Sequence, residues 1–204
     1  MNFPKFHKEI ESYHINFNKY LPALSEITME AHYHHYQKYC DNLYIIADSV
    51  KVKYPTLRTL SLEEIVKNYP EDFSIYNNAA QILNHQIYWS CLKPEVYIKN
   101  IQLDQIIEQT FGSIKNLLNK SKNLALSHFG SGWLWCIQLG NRLELITTKN
   151  AKNPLSSYEC NILFGIDLWE HAFYIEHKWE KDKYLEQALE QLNFNYLASK
   201  LKTY

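Results

Sequence analysis

The stretch Asn161-Ile162-Leu163-Phe164-Gly165-Ile166-Asp167-Leu168-Trp169-Glu170-His171-Ala172-Phe173-Tyr174-Ile175-Glu176-His177 decides how this chain is read. Its first six residues are mostly apolar and uncharged, the pattern of a buried strand. From Glu170 onward there is no Gly or Pro, and the pattern predicts a helix over about Glu170–Trp179. Asp167 then closes a strand, and His171 sits on the first turn of the helix that follows. One carboxylate and one imidazole spaced this way make half of a mononuclear site for a hard or borderline metal ion.

Upstream of this stretch, Phe129-Gly130-Ser131-Gly132 reads as a turn and Trp133–Leu139 as a strand. Gly140-Asn141 signals a tight hairpin, and Leu143–Thr147 alternates as the return strand. Helices are expected near Leu103–Gln109, Ser113–Leu126 and Asp182–Leu201. The first half is all-helical in pattern. Ser25 is an N-cap for a long helix to about Val50. Ser61-Leu62-Glu63-Glu64 is a capping box opening a short helix through Lys67, and a second long helix covers about Phe73–Leu92 before Lys93-Pro94 ends it. Residues 1–20 lack clean periodicity and read as an irregular arm. The expected fold is α+β, with an N-terminal helical hairpin and a C-terminal α/β domain carrying a three-stranded antiparallel sheet. The only composition shift lies near Pro94, dividing the chain into 1–94 (arm and hairpin) and 95–204, with a single metal site between them.

The bulk composition narrows the function classes. The 204 residues are 46% hydrophobic and 21% charged, as in packed globular proteins. A net charge of −1 offers no basic footprint for nucleic acid, and no apolar run is long enough to span a bilayer. The N-terminal Met1-Asn2-Phe3-Pro4-Lys5 has neither a secretory apolar core nor the Arg-rich character of a transit peptide. Cys40, Cys91, Cys136 and Cys160 are widely spaced without a C-x-x-C pair, and are read as buried small apolar residues. A cytoplasmic, reduced protein is expected.

The remaining ligands must come from the nine histidines. Gln81 and His85 lie four apart, on one face of the second long helix, with Trp89 on the same stripe. On the first long helix, at about 100° per residue, His32, His35 and Tyr39 fall within roughly 60° of one another while His34 points elsewhere. His7, His14, His128 and His177 take the structural or solvated reading. The zincin pattern H-E-x-x-H is absent, and at Glu170-His171 the two residues are adjacent and not spaced as in the Glu-x-x-His element of di-iron bundles.

These residues carry a resemblance. Asp167-Leu-Trp-Glu-His171-Ala-Phe-Tyr174 resembles the D-x-W-E-H-A-[YF]-Y signature of the iron/manganese superoxide dismutase family. Tyr76-Asn-Asn-Ala-Ala-Gln81-Ile-Leu-Asn-His85-Gln-Ile-Tyr-Trp89 resembles that family's second ligand helix. Ser61-Leu-Glu-Glu-Ile65, Phe111-Gly-Ser113, Phe129-Gly-Ser-Gly-Trp133 and Asn153-Pro-Leu155 match in order, so the likeness covers about residues 17–201. It implies metal ligands His32, His85, Asp167 and His171, with one iron per chain or, alternatively, manganese. Gln81 matches the outer-sphere Gln that hydrogen-bonds metal-bound solvent; its place on the His85 helix, with Ala151 in the later loop, is the iron-type arrangement. Tyr39 and His35 match the substrate gateway. Trp133, Trp169 and Trp89 match the wall of the site. Glu170 and Tyr174 match residues that cross a homodimer interface, towards the partner's metal ligand and gateway His.

The family pattern H-x-x-x-H-H-x-x-Y is one residue shorter here, at His32-Tyr33-His34-His35-Tyr36-Gln37-Lys38-Tyr39. A gapless alignment from Tyr39 puts Ala31 at the ligand position. Matching Thr28-Met-Glu-Ala-His32 instead makes His32 the ligand, and this alignment is preferred. Leu83 stands where a Trp is usual. The implied activity is conversion of superoxide to dioxygen and hydrogen peroxide by one-electron cycling of iron. Three neutral His and one Asp give a site of about +1 both with Fe(III) and hydroxide and with Fe(II) and water, so each electron arrives with a proton and buried charge stays constant. Gln81 would tune the potential, and Tyr39 and His35 would guide entry and relay protons. The alternative is a superoxide-dismutase-like scaffold or assembly protein with an impaired site, favoured only by the shortened gateway helix. A mononuclear Fe(II) oxygenase would need cosubstrate-binding basic residues and a barrel that the sequence does not show.

Overall fold

A computed structural model describes residues 5–12, 24–92 and 95–202. Helix α2 (Glu26–Ser49) begins where Ser25 Oγ accepts from the Thr28 N–H at 3.3 Å, as the N-cap reading requires. It buries Thr28, Met29, His32, Tyr36, Cys40, Leu43 and Ala47, a stripe of helical period. Helix α3 (Leu62–Asn68) opens with the expected capping box: Glu64 N–H donates to Ser61 Oγ, and Glu64 Oε2 accepts from Ser61 N–H at 2.7 Å. Helix α4 (Phe73–Cys91) is apolar over most of its circumference because it lies between α2 on one side and the sheet on the other.

The expected irregular arm is corrected over part of its length. Lys5–Ser12 forms a helix, α1. Phe6 is fully buried and stacks on Tyr44 of α2, with ring centroids 5.9 Å apart. Glu9 Oε2 accepts from the Leu62 N–H at 3.0 Å, and Lys5 pairs with Glu64 at 2.9 Å, so α1 also helps cap α3. Two apolar anchors in eight residues make a weak periodic signal, and their partners lie far along the chain. The expected boundary at Pro94, the remainder of the arm with His14, and the His7 side chain fall outside the described residues.

Helices α5 (Ile101–Phe111) and α6 (Ile114–Ser127) precede a three-stranded antiparallel sheet with strand order β2-β1-β3. The strands are β1 (Gly132–Leu139), β2 (Arg142–Lys149) and β3 (Asn161–Asp167). Gly140 supplies the positive φ of 57° that the β1–β2 turn needs. The register sets Trp133 opposite Asp167 and Trp135 opposite Gly165. This delivers Asp167 to the end of a strand buried from Ile162 onward, facing α4.

Two expected helices are corrected. The segment read as one helix over Glu170–Trp179 is a 3₁₀ turn at Glu170–Ala172 followed by a single α-helical turn, α7 (Tyr174–His177). Lys178 at φ 51° ends it. The segment is fastened by tertiary contact: Glu176 Oε2 accepts from Ser25 N–H at 2.7 Å and from Thr28 Oγ1 at 3.3 Å, binding it to the start of α2. The final helix divides into α8 (Lys181–Glu190) and α9 (Phe194–Lys200). Asn193 causes the break, since its side chain caps Tyr196 N–H at 3.0 Å while its own N–H donates to Cys91 O at 2.8 Å.

A Cβ at position 165 would overlap the Trp135 ring, which is fully buried and has no space to retreat. Gly165→Ala is expected to destabilise the protein by about 1–3 kcal/mol through overpacking, read as a lower urea midpoint at unchanged slope.

Candidate metal centre

Four side chains from three parts of the fold converge: His32 on α2, His85 on α4, Asp167 at the end of β3 and His171 in the 3₁₀ turn beyond it. One ligand atom from each lies within 4.8 Å of all the others. Asp167 Oδ2 is the focus, 3.1 Å from His32 Nε2, 3.1 Å from His171 Nε2 and 3.7 Å from His85 Nε2. His32, His85 and Asp167 are completely buried. Ligand bonds of about 2.0–2.2 Å around one ion space the donor atoms by roughly 3–4 Å, close to the separations found.

Protonation tells more than distance. His85 Nδ1 lies 2.6 Å from the Gln81 carbonyl, which only accepts, so Nδ1 carries the proton. In the neutral ring Nε2 is then a bare lone pair. It has no hydrogen-bond partner, and it is aimed at a carboxylate oxygen. Burial pushes the His85 pKa well down, with His32 adding to the effect, so the ring does not escape by taking a second proton. Burial also lowers His32, although Asp167 opposes it. For Asp167 burial alone would raise the carboxyl, but His171 and His32 outweigh it and hold the group well below the usual carboxylate range. The His32 and His85 rings, kept neutral by burial, beside an ionised Asp167 and the His171 imidazole, are the donor set of a borderline cation. The residues therefore fit a metal ion.

Each donor is held by its surroundings. Asp167 Oδ1 accepts from the Trp169 N–H at 2.8 Å, leaving Oδ2 for the centre. Tyr184 OH donates to the Asp167 carbonyl at 2.9 Å. Trp89 packs edge-on to His32 at 5.2 Å, Trp133 edge-on to His85 at 5.2 Å, and Trp169 stacks on His171 at 5.6 Å.

Gln81 is also buried. Its Oε1 accepts from Trp133 Nε1 at 3.1 Å and its Nε2 donates to Tyr39 OH at 3.2 Å, which orients the amide at both ends. Burial raises the Tyr39 pKa, with the Gln81 contact opposing, so the phenol keeps its proton. The His35 ring lies 4.4 Å from that of His171, half-exposed at the edge of the centre. The spacing of three and seven along an unbroken α-helix thus carries His32, His35 and Tyr39 to one place. His34 is exposed, as its angular position indicated. Glu170 and Tyr174 are exposed beside the centre rather than within it.

Sequence reading missed four residues. Asn84 donates to the Ala151 carbonyl at 3.1 Å and accepts from Asn153 Nδ2 at 2.7 Å, tying the 151–153 loop to α4. Glu176 binds α7 to α2, and Tyr88 and Tyr184 meet beneath Asp167. Tyr88, one turn beyond His85, and Asn84, one turn beyond Gln81, stood where helical spacing could have singled them out.

The metal-free protein should lose stability between about pH 7 and pH 5. The unfolded imidazoles take up protons below about 6.5 while folded His32 and His85 resist, so the unfolded state binds more protons and unfolding becomes easier as pH falls. Asp167 adds its own loss at lower pH, beginning where the unfolded carboxyl takes up its proton in the ordinary carboxylate range and continuing below it. Thermal midpoints of chelator-stripped protein measure this, and His85→Ala should flatten the profile.

Two family models match the chain: the alpha-hairpin domain of iron/manganese superoxide dismutases over residues 6–93, and the C-terminal domain of the same enzymes over residues 99–200. Among curated proteins, the superoxide dismutase [Fe] of Salmonella typhimurium is 34% identical over 183 residues, covering 88% of this chain and 91% of that protein. That of Escherichia coli K12 is 33% identical over the same length. That of Entamoeba histolytica is 32% identical over 186 residues, 91% of this chain and 94% of its own.

Proposed function

Because the chain belongs to the iron/manganese superoxide dismutase family, we propose that it is an iron superoxide dismutase in which His32, His85, Asp167 and His171 hold one iron per chain. The observation that carries the ligand assignment is the unpartnered Nε2 of His85 aimed at Asp167 Oδ2. A position for Gln81 on α4, with only Ala151 in the facing loop, supports iron over manganese. So do the iron enzymes among the relatives.

Iron held by these residues would supply one-electron redox chemistry, by which one superoxide is oxidised to dioxygen and a second reduced to peroxide as two protons are taken up. The protein's residues do the rest. His35 and Tyr39, both half-exposed, stand at an edge of the centre and serve as the gateway. Tyr39 keeps its phenolic proton and accepts from Gln81 Nε2 at 3.2 Å, which leaves its own O–H to serve as the proton donor of the gateway. Gln81, clamped between Trp133 and Tyr39, presents a fixed dipole to the centre. Trp89, Trp133 and Trp169 exclude water, which strengthens every charge interaction inside. A scaffold with an impaired site draws no support at the position that would reveal it: the His32 imidazole is buried in the cluster, 3.1 Å from Asp167.

The working unit is a homodimer. Glu170 and Tyr174 are exposed next to His171, and Ile175, Trp179 and Phe129 expose apolar surface along the same chain segment and the loop that adjoins it. That loop is adjacent because Leu168 N–H donates to Gly132 O at 3.0 Å. Four free cysteines support residence in a reducing compartment, the cytoplasm. No described helix is long and apolar enough to cross a membrane.

Purified protein should carry about one iron per chain and remove superoxide, measured by metal analysis and a superoxide-consumption assay. Failure to bind iron or manganese when supplied would refute the enzyme reading. His171→Ala removes one of four donors and should lose most of the metal. Tyr39→Phe should keep its metal and lower kcat by roughly tenfold or less, because water replaces the phenol only in part. Sedimentation should give a dimer that Glu170→Ala weakens.

A further inference from the structure

Beside the metal centre two buried phenols meet. Tyr184 on α8 and Tyr88 on α4 place their hydroxyls 3.0 Å apart, and both residues have no exposed surface. The direction of their hydrogen bonds follows from proton count. The Asp167 carbonyl can only accept, so Tyr184 spends its single O–H on it, at 2.9 Å. The proton between the two phenols must then come from Tyr88. The result is a one-way chain from Tyr88 to Tyr184 to the main-chain oxygen of Asp167.

That oxygen belongs to the peptide that fixes the carboxylate ligand. Its other end is held as well, since the Leu168 N–H donates to Gly132 O at 3.0 Å. With Trp169 N–H on Oδ1, the main chain and one carboxylate oxygen of Asp167 are pinned, and Oδ2 alone is left for the ion. Tyr88 is three residues from His85 on the same helix, and its ring lies 5.5 Å from that of His32. The pair therefore touches the supports of three ligands from three elements. A chain of hydrogen bonds also polarises itself, so the Tyr88 donor strengthens the Tyr184 contact beyond what either would provide singly. Burial pushes both phenols up, and neither gives up its proton in the working range. They act as fixed donors and not as proton carriers.

We infer that Tyr184, backed by Tyr88, is a positioning residue for the metal centre: it sets the orientation and donor strength of Asp167 by holding its main-chain carbonyl. This rests on the iron reading above. Its consequence is specific. Removing the Tyr184 hydroxyl leaves all four ligands, the gateway and both aromatic rings in place, yet loosens the carboxylate that every imidazole faces.

The test uses full-length, iron-loaded Tyr184→Phe, Tyr88→Phe and the double variant. Iron affinity is measured by competition with a chelator, the visible spectrum of the ferric protein is recorded, and thermal midpoints are compared with and without iron. Tyr184→Phe should weaken iron binding by about tenfold, the lower end for loss of an outer-shell partner, and should alter the ferric spectrum. Tyr88→Phe should act in the same direction more weakly. The double variant should match Tyr184→Phe alone, because Tyr88 reaches Asp167 only through Tyr184. Wild-type affinity and spectrum in Tyr184→Phe, with midpoints lowered equally in the iron-loaded and iron-free forms, would mean ordinary packing and overturn the assignment while leaving the iron reading intact. Wild-type protein that takes up no iron would instead overturn the iron reading, and this one with it.

Discussion

The 3.7 Å between His85 Nε2 and Asp167 Oδ2 is the separation on which the rest of the structure depends. Both atoms are fully buried and both present lone pairs, since the His85 ring has committed its proton to the Gln81 carbonyl. In a low-dielectric interior such a pair is costly unless a cation lies between the two atoms. The surrounding fold holds them there regardless. A centre of this kind binds metal tightly because the cost of gathering the ligands is met by the packing of the whole domain and not by the ion alone.

That packing comes from three directions. Strand β3 brings Asp167 to its end in register with β1, and Gly165 makes room for Trp135 to lie against it. Helix α4 supplies His85 together with Gln81, Asn84, Tyr88 and Trp89, so one helix face contributes a candidate ligand, an oriented amide, a loop tether, a phenol donor and a wall. Helix α2 supplies His32, and its N-terminus is tied to the segment beyond His171 by Glu176. Because the candidate ligands sit on elements locked to each other by hydrogen bonds, buried along α4 and partly exposed at Glu176, their positions are set before any ion arrives, the preorganisation that a redox site needs.

The shorter spacing in α2 shows how a helix absorbs a missing residue. Positions i, i+3 and i+7 share a face nearly as well as i and i+4, so His32, His35 and Tyr39 still point one way along an uninterrupted helix. Tyr39 reaches Gln81 and His35 lies over His171. Ala31, the competing ligand position in the sequence, is a half-buried residue outside the cluster.

Sequence alone determined the elements whose signals are local. Ser25, the capping box at Ser61 and Glu64, the Gly140 turn and the alternation of β2 each encode their structure in adjacent residues, and the ligand-bearing motifs stand within single helical or strand segments. Together with the family resemblance, these brought the four candidate ligands together on paper. Tertiary structure decided what local pattern does not carry. Lys5–Ser12 is helical because Phe6 finds Tyr44 and Glu9 finds the start of α3, both far along the chain. The segment after His171 is not one helix because Glu176 is held by α2, and the last helix breaks because the Asn193 N–H is taken by Cys91. The same holds for Tyr184, which lies 17 residues from Asp167 with no periodic relation to it. Hydrogen bonds to buried main-chain atoms are chosen by which surfaces meet, and that is known only once the chain has folded.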